Sequence, residues 1–265
     1  MYAAVAALSI AMFAMPTTTQ AQNSYELEIA GTKVTASNCN NLSVINGVSG
    51  TVKYDPTTKT LMLQNATINA EDNNAILTKI DGLTIKVIGT NNLTAKVSPI
   101  RVVKSLTITG GGTLNAEGQK NCAIFVKRAD LTIDNCTVNG KSPVYGIAGN
   151  DGMNEKLTIK NATVTAEGTE KGSIVDFATL TLIGCEITQP SDAKFDPSIH
   201  SVALNGEKVK SKVMITKVST AIDTPIAETK TAQGIYTLSG VRLSDELKTL
   251  PKGIYIVNGK KIVKQ

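Results

Sequence analysis

Residues able to do acid–base work are thinly spread through this 265-residue chain. Arg101, Lys127, Arg128, Asp130, Asp151 and Asp176 stand out because each falls on or beside the third of three short apolar patches that recur along it. Catalysis there would need two carboxylates acting as acid and base, or a Lys or Arg base beside carboxylate-bound calcium. No matched register sets two carboxylates side by side on neighbouring repeats, so no catalytic set is expected. The same positions suit ligand contact. Arg101, Lys127, Tyr145 and Asp176 are the expected ligand-binding residues, with Tyr145 taken as the one Tyr or Trp platform for a sugar within a repeat.

Other constellations read as structure. Asn150-Asp151-Gly152-Met153-Asn154-Glu155 sets oxygen ligands around a glycine, as calcium loops do. It lacks their alternating spacing, and Asn, Asp and Gly are ordinary turn residues. Asp151 and Glu155 are the metal candidates, calcium the ion they would suit, and no other cofactor is implied. His200 is the single histidine and lies beyond the last full repeat. Cys136 and Cys185 take equivalent small positions two repeats apart, with Ala162 between them. At about 4.8 Å per stacked strand they stand too far apart to bridge. Two columns of threonine are expected to face outward, Thr84, Thr107, Thr132, Thr158 and Thr181 in one, Thr67, Thr113, Thr137 and Thr163 in the other. Plain β-propensity accounts for both.

The repeat must position these residues. Leu61-Met62-Leu63, Leu83-Thr84-Ile85, Leu106-Thr107-Ile108, Leu131-Thr132-Ile133, Leu157-Thr158-Ile159 and Leu180-Thr181-Leu182 begin 22, 23, 25, 26 and 23 residues apart. A second triplet follows most of them, as in Ala66-Thr67-Ile68, Gly112-Thr113-Leu114, Cys136-Thr137-Val138, Ala162-Thr163-Val164 and Cys185-Glu186-Ile187. A third patch closes the unit, as in Ala75-Ile76-Leu77 or Tyr145-Gly146-Ile147-Ala148. Asn65, Asn135, Asn161, Gly110 to Gly112 and Gly184 fall between the first two strands. Asn and Gly most cheaply take the left-handed backbone that a sharp corner needs, and stacked Asn side chains can bond along the column. Three strands per 22–26 residues predict an all-β chain, a right-handed parallel β-helix of about six coils.

The ends differ from this body. Residues 1–21 have an apolar run and small residues at Thr19 and Ala21, the pattern of a signal peptide cleaved before Gln22. No basic residue precedes the run, so the natural start is expected upstream of Met1. Residues 22–60 should form an N-terminal β cap, 61–216 the β-helix, 217–233 a linker and 234–265 a small β-module. No further membrane span follows the signal. Net charge is +5, and +4 of it falls from Lys217 onward. A near-neutral body without interleaved aromatics offers nucleic acid no footprint.

Two stretches resemble known families. Tyr25-Glu26-Leu27-Glu28-Ile29-Ala30-Gly31-Thr32-Lys33-Val34-Thr35 and Gly50-Thr51-Val52-Lys53-Tyr54-Asp55, with the repeats to about residue 190, resemble secreted bacterial β-helix proteins labelled carbohydrate-binding-domain-containing. That likeness implies an extracellular β-helix. Gly234-Ile235-Tyr236-Thr237-Leu238-Ser239-Gly240, then Leu250-Pro251-Lys252-Gly253-Ile254-Tyr255 and Gly259-Lys260-Lys261-Ile262, resemble the sorting domain of type IX secretion substrates. It implies outer-membrane secretion machinery as a partner through residues 234–265. The copy is short and lacks the family's earlier strands. Together these readings predict an exported, non-catalytic protein at the cell surface or beyond it, binding glycan or adhering. The rival classes are a polysaccharide lyase or glycoside hydrolase on the same fold, and a purely structural surface protein.

Overall fold

Alternation of apolar and polar residues with period two, broken every few residues by a corner, forces short strands to stack rather than extend. In the computed structural model, which describes residues 23–218, 234–244 and 246–265, they stack as a parallel β-helix. Its first face is built from Leu83–Ile88, Leu106–Thr109, Asp130–Asp134, Lys156–Lys160 and Thr179–Ile183. Its second face is built from Thr90–Ala95, Thr113–Gly118, Thr137–Ser142 and Thr163–Gly168. The bent strand Thr60–Ala70 starts both faces. The third face stacks Ile76–Thr78, Ile100–Val102, Cys122–Val126, Tyr145–Ala148 and Gly172–Val175. Five coils carry all three strands, and a sixth adds only Thr179–Ile183 in parallel register.

The core is a set of columns. Leu83, Leu106, Leu131 and Leu157 stack inward on the first face, as do Ile85, Ile108, Ile133 and Ile159. Ile76, Ile100, Ile124, Ile147 and Ile174 do the same on the third. Nearly all are fully buried, each contributing about 1.5–3 kcal/mol of apolar transfer. Outward, Thr60 joins the expected column of Thr84, Thr107, Thr132, Thr158 and Thr181. The corners are left-handed as their residue types require: Asn65, Asn135, Asn161, Gly110, Gly111 and Gly184 all have positive φ.

The register departs from the repeat alignment in the first coil. Leu61 stands opposite Ile85 and Leu63 opposite Val87, two residues off the expected pairing. Coils one and two run two residues further before their corners at Asn65 and Gly89, which adds Leu63 and Val87 to the core. The slack ends at Gly110 and Gly111. Thr67 therefore heads a column of Asn92, Asn115, Asn139 and Thr165, while Thr90 heads Thr113, Thr137 and Thr163. The bonded asparagine ladder forms here and not at the corners: Asn115 donates to Asn92 and Asn139 to Asn115, each at 2.8 Å. Corner asparagines are adjacent only at Asn135 and Asn161, because glycine takes the intervening corners. Asn91, fully buried, takes the Ala66 N–H at 2.9 Å and donates to Ile88 and Thr113 carbonyls.

Antiparallel strands close the ends. Ser24–Ile29, hairpinned to Thr32–Thr35, covers Ile76–Thr78, and Val48–Asp55 covers Thr60–Ala70. At the other end the Cys185 thiol still lies against the Ala162 backbone, but Cys185–Gln189 does not pair with Thr163–Gly168. Val213–Lys217, at the end of the stretch expected to form the β-helix, inserts antiparallel between Thr163–Gly168 and Cys185–Gln189. Ser201–Leu204 and Lys194–Asp196 extend the third face. The C-terminal unit is a separate antiparallel sheet ordered Arg242–Leu243, Ile235–Thr237, Gly253–Val257, Lys260–Lys264. Leu250 and Tyr255 make its small core, and the Tyr255 hydroxyl donates to the Pro251 carbonyl. The expected signal peptide and nearly all of the expected linker lie outside the described residues.

Candidate functional site

On the third face, strand alternation turns Ile124 and Val126 inward and so turns Phe125 outward. Parallel pairing then aligns Leu77, Arg101, Phe125, Ala148 and Val175 in one outward row, with Cys122 and Tyr145 paired three positions before Phe125 and Ala148. Cys122, Ala148 and Val175 are 1%, 1% and 0% exposed although they belong to a cluster apart from the main core, because Phe125 and Tyr145 pack over them. Two half-buried rings thus lie on a small-residue floor. The Arg101 guanidinium sits 5.7 Å from the centroid of Phe125, within cation–π range.

Asp176 follows Val175 at a left-handed corner, φ 59°, and its Oδ1 accepts from Lys208 Nζ at 3.1 Å. Its charge reaches the rest of the cluster. The Tyr145 hydroxyl is raised from its ordinary value by burial first, then by the charges of Asp176 and Cys122. Burial pushes the Cys122 thiol up to about 12, with the Asp176 charge adding. Lys127, just past Cys122–Val126, is half-buried and its N–H donates to the Val102 carbonyl at 2.8 Å.

Arg101, Tyr145 and Asp176, chosen from the sequence, therefore meet on one outer surface, and Lys127 borders it. Tyr145 is the one Tyr or Trp of the coils, but the ring of Phe125, which the sequence reading does not single out, stands one coil earlier. The signal was present in the Cys-Ala-Ile-Phe-Val alternation. On the first face Asp130 stands opposite Lys156 and Asp134 opposite Lys160, so acid faces base across the coils.

Asp151 and Glu155 lie close to one another but differ in burial. Asp151 is exposed and accepts from the Met153 N–H, which with Asn150 holds its carboxyl below the usual range. Glu155 is fully buried, and its two oxygens take the N–H groups of Arg128 at 2.8 Å and Asn154 at 3.3 Å. Arg128 occupies a left-handed corner, so Glu155 satisfies a backbone donor that no strand can reach. Among the described residues no three His, Cys, Asp or Glu side chains are grouped to hold a metal ion. The His200 ring packs beside Gly152. All four cysteines are free and buried. An open cleft of 730 Å³ at the C-terminal end, among Glu170, Lys171, Lys208 and Lys210, carries both charge signs but no aromatic ring.

No family model, curated protein or solved structure matches this chain. Among the described residues no helix is long and apolar enough to cross a membrane.

Proposed function

We propose that this protein is a non-catalytic glycan-binding or adhesive β-helix that acts outside the cell. The observation that carries the reading is the convergence of Arg101, Phe125, Tyr145 and Asp176 on the outer third face. A sugar ring presents an apolar face of C–H groups and an edge of hydroxyls. Phe125 and Tyr145 offer apolar surface for the first, and Arg101, Lys127 and Asp176 offer donors and acceptors for the second. The floor of Cys122, Ala148 and Val175 holds the rings in place, which lowers the entropy cost of binding. The export signal in residues 1–21 and a sorting role for residues 234–265 belong to the same reading.

The experiment is a glycan array probed with the intact protein, followed by titration of the best glycan into Phe125→Ala and Tyr145→Ala variants. Wild type should bind, and each variant should bind at least about tenfold more weakly, since each loses a stacking surface. Circular dichroism checks that the variants stay folded. Binding to no glycan, or unchanged affinity in both variants, would sink the reading. New unsaturated or reducing ends after incubation with polyuronates would replace it with an enzymatic one.

A further inference from the structure

The outer third face carries a cation that no acid balances. Arg101 is half-buried, and its guanidinium lies over the Phe125 ring at 5.7 Å from the centroid. The ring therefore fixes where the charge sits. Among the described residues no carboxylate pairs with Arg101, and its N–H groups donate to no protein acceptor. Lys127, half-buried two positions past Phe125, has no carboxylate partner among them either.

Strand pairing keeps the acids around this face away from it. Glu28 ends the row beyond Leu77, two strands from Arg101, and stands opposite Lys33 in its own hairpin. Asp176 follows Val175, three strands the other way, which is about 14 Å at the spacing of paired strands. Its Oδ1 is taken by Lys208. Asp130 faces Lys156, the Glu155 oxygens take amide N–H groups, and Asp151 feels the charge of Arg128. A guanidinium stays charged, and its planar fork of N–H donors matches the paired oxygens of an oxyanion. Holding it partly out of water without such a partner costs free energy that a bound anion returns.

We propose that this surface takes an acidic glycan, in which a sugar carries a carboxylate or a sulfate ester as its anionic group. That group accepts from the Arg101 guanidinium, and Lys127, on the next coil, supplies a second positive charge. Phe125 and Tyr145 take the apolar faces of the same glycan chain. A neutral glycan fits less well, because its hydroxyls leave both cations without a counter-charge. An acidic ligand presupposes the glycan reading above, which survives if the ligand proves neutral.

The test exposes the intact protein to matched pairs of immobilised oligosaccharides, read by biolayer interferometry. Galacturonate, glucuronate and mannuronate oligomers each stand beside their methyl esters, and a sulfated galactan stands beside its desulfated form. At least one acidic member should bind, about tenfold or more tighter than its neutral twin. The uronate and sulfate arms tell which anion is used. Arg101→Gln should bring that preference to within about threefold. Because the readout is a ratio within one variant, loss of the Arg101 contact with Phe125 does not imitate the result. Neutral twins that bind as well as the acidic members would overturn the acidic assignment and leave the glycan reading standing. So would a preference that persists in Arg101→Gln, or acidic members that fail to bind while neutral glycans do. Binding to no glycan at all overturns both.

Discussion

Cys122 is 1% exposed on the outer third face and Cys136 is 4% exposed at an inner corner, and burial is the leading cause that holds both thiols up at about 12. A thiol whose folded pKa stands above its ordinary value stabilises the fold fully below about pH 9. It loses that contribution as pH climbs toward 12, because the unfolded chain ionises first. The slope is about 1.4 kcal/mol per pH unit for each thiol in that window. Urea unfolding at about pH 8 and about pH 10.5 should therefore show an alkaline loss that shrinks by about 2 kcal/mol in Cys122→Ser. Equal losses in wild type and variant would mean that the thiol is not buried as described. Glu155 makes the same point about single residues. With Asp151 it is the metal candidate of an oxygen-rich turn, yet its oxygens are engaged by the Arg128 and Asn154 amides.

Corners decide how strands become coils. Gly110 and Gly111 follow one another at positive φ, but their surroundings differ. A Cβ on Gly110 would lie 2.5 Å from the Val87 carbonyl oxygen, and one on Gly111 would meet nothing within 4 Å. Gly111→Ala should thus cost only the left-handed strain, about 1–2 kcal/mol. Gly110→Ala should cost at least about 1 kcal/mol more, because the backbone of the coil before it must move. Urea midpoints of the two variants give the comparison, and equal midpoints would remove the argument that Gly110 closes the Leu63 and Val87 row. The corner types were legible in the sequence, since Asn and Gly mark them. The extra row was not, because the Leu-x-Leu triplet of coil one is apolar in either register and only the pairing with Thr84 to Ile88 chooses between them.

For the whole molecule the open question is how a stack of strands stops growing. The N-terminal cap buries Leu27, Ile29 and Val34 against the first coils and occupies the free edge of Ile76–Thr78. Removing residues 23–35 should leave that edge and the core beneath it bare. The expected outcome is a marked fall in soluble yield and growth of large particles by light scattering. A truncated chain that stays monomeric and melts like the full one would show that Val48–Asp55 suffices as a cap.

Residue order by itself determined the class of fold, the three-strand coil, the inward Leu and Ile columns, the left-handed corners and the outward threonines. Each follows from local rules, period two along a strand and the low cost of positive φ in Asn and Gly, and the repeat states them six times over. Three matters were settled only in the tertiary structure. They are the two-residue shift of the first coil, the antiparallel insertion of Val213–Lys217, and the meeting of Arg101, Phe125, Tyr145 and Asp176 on one surface. All three depend on which strands lie beside each other. That choice is made by packing between segments 20 to 50 residues apart, and no local pattern encodes it.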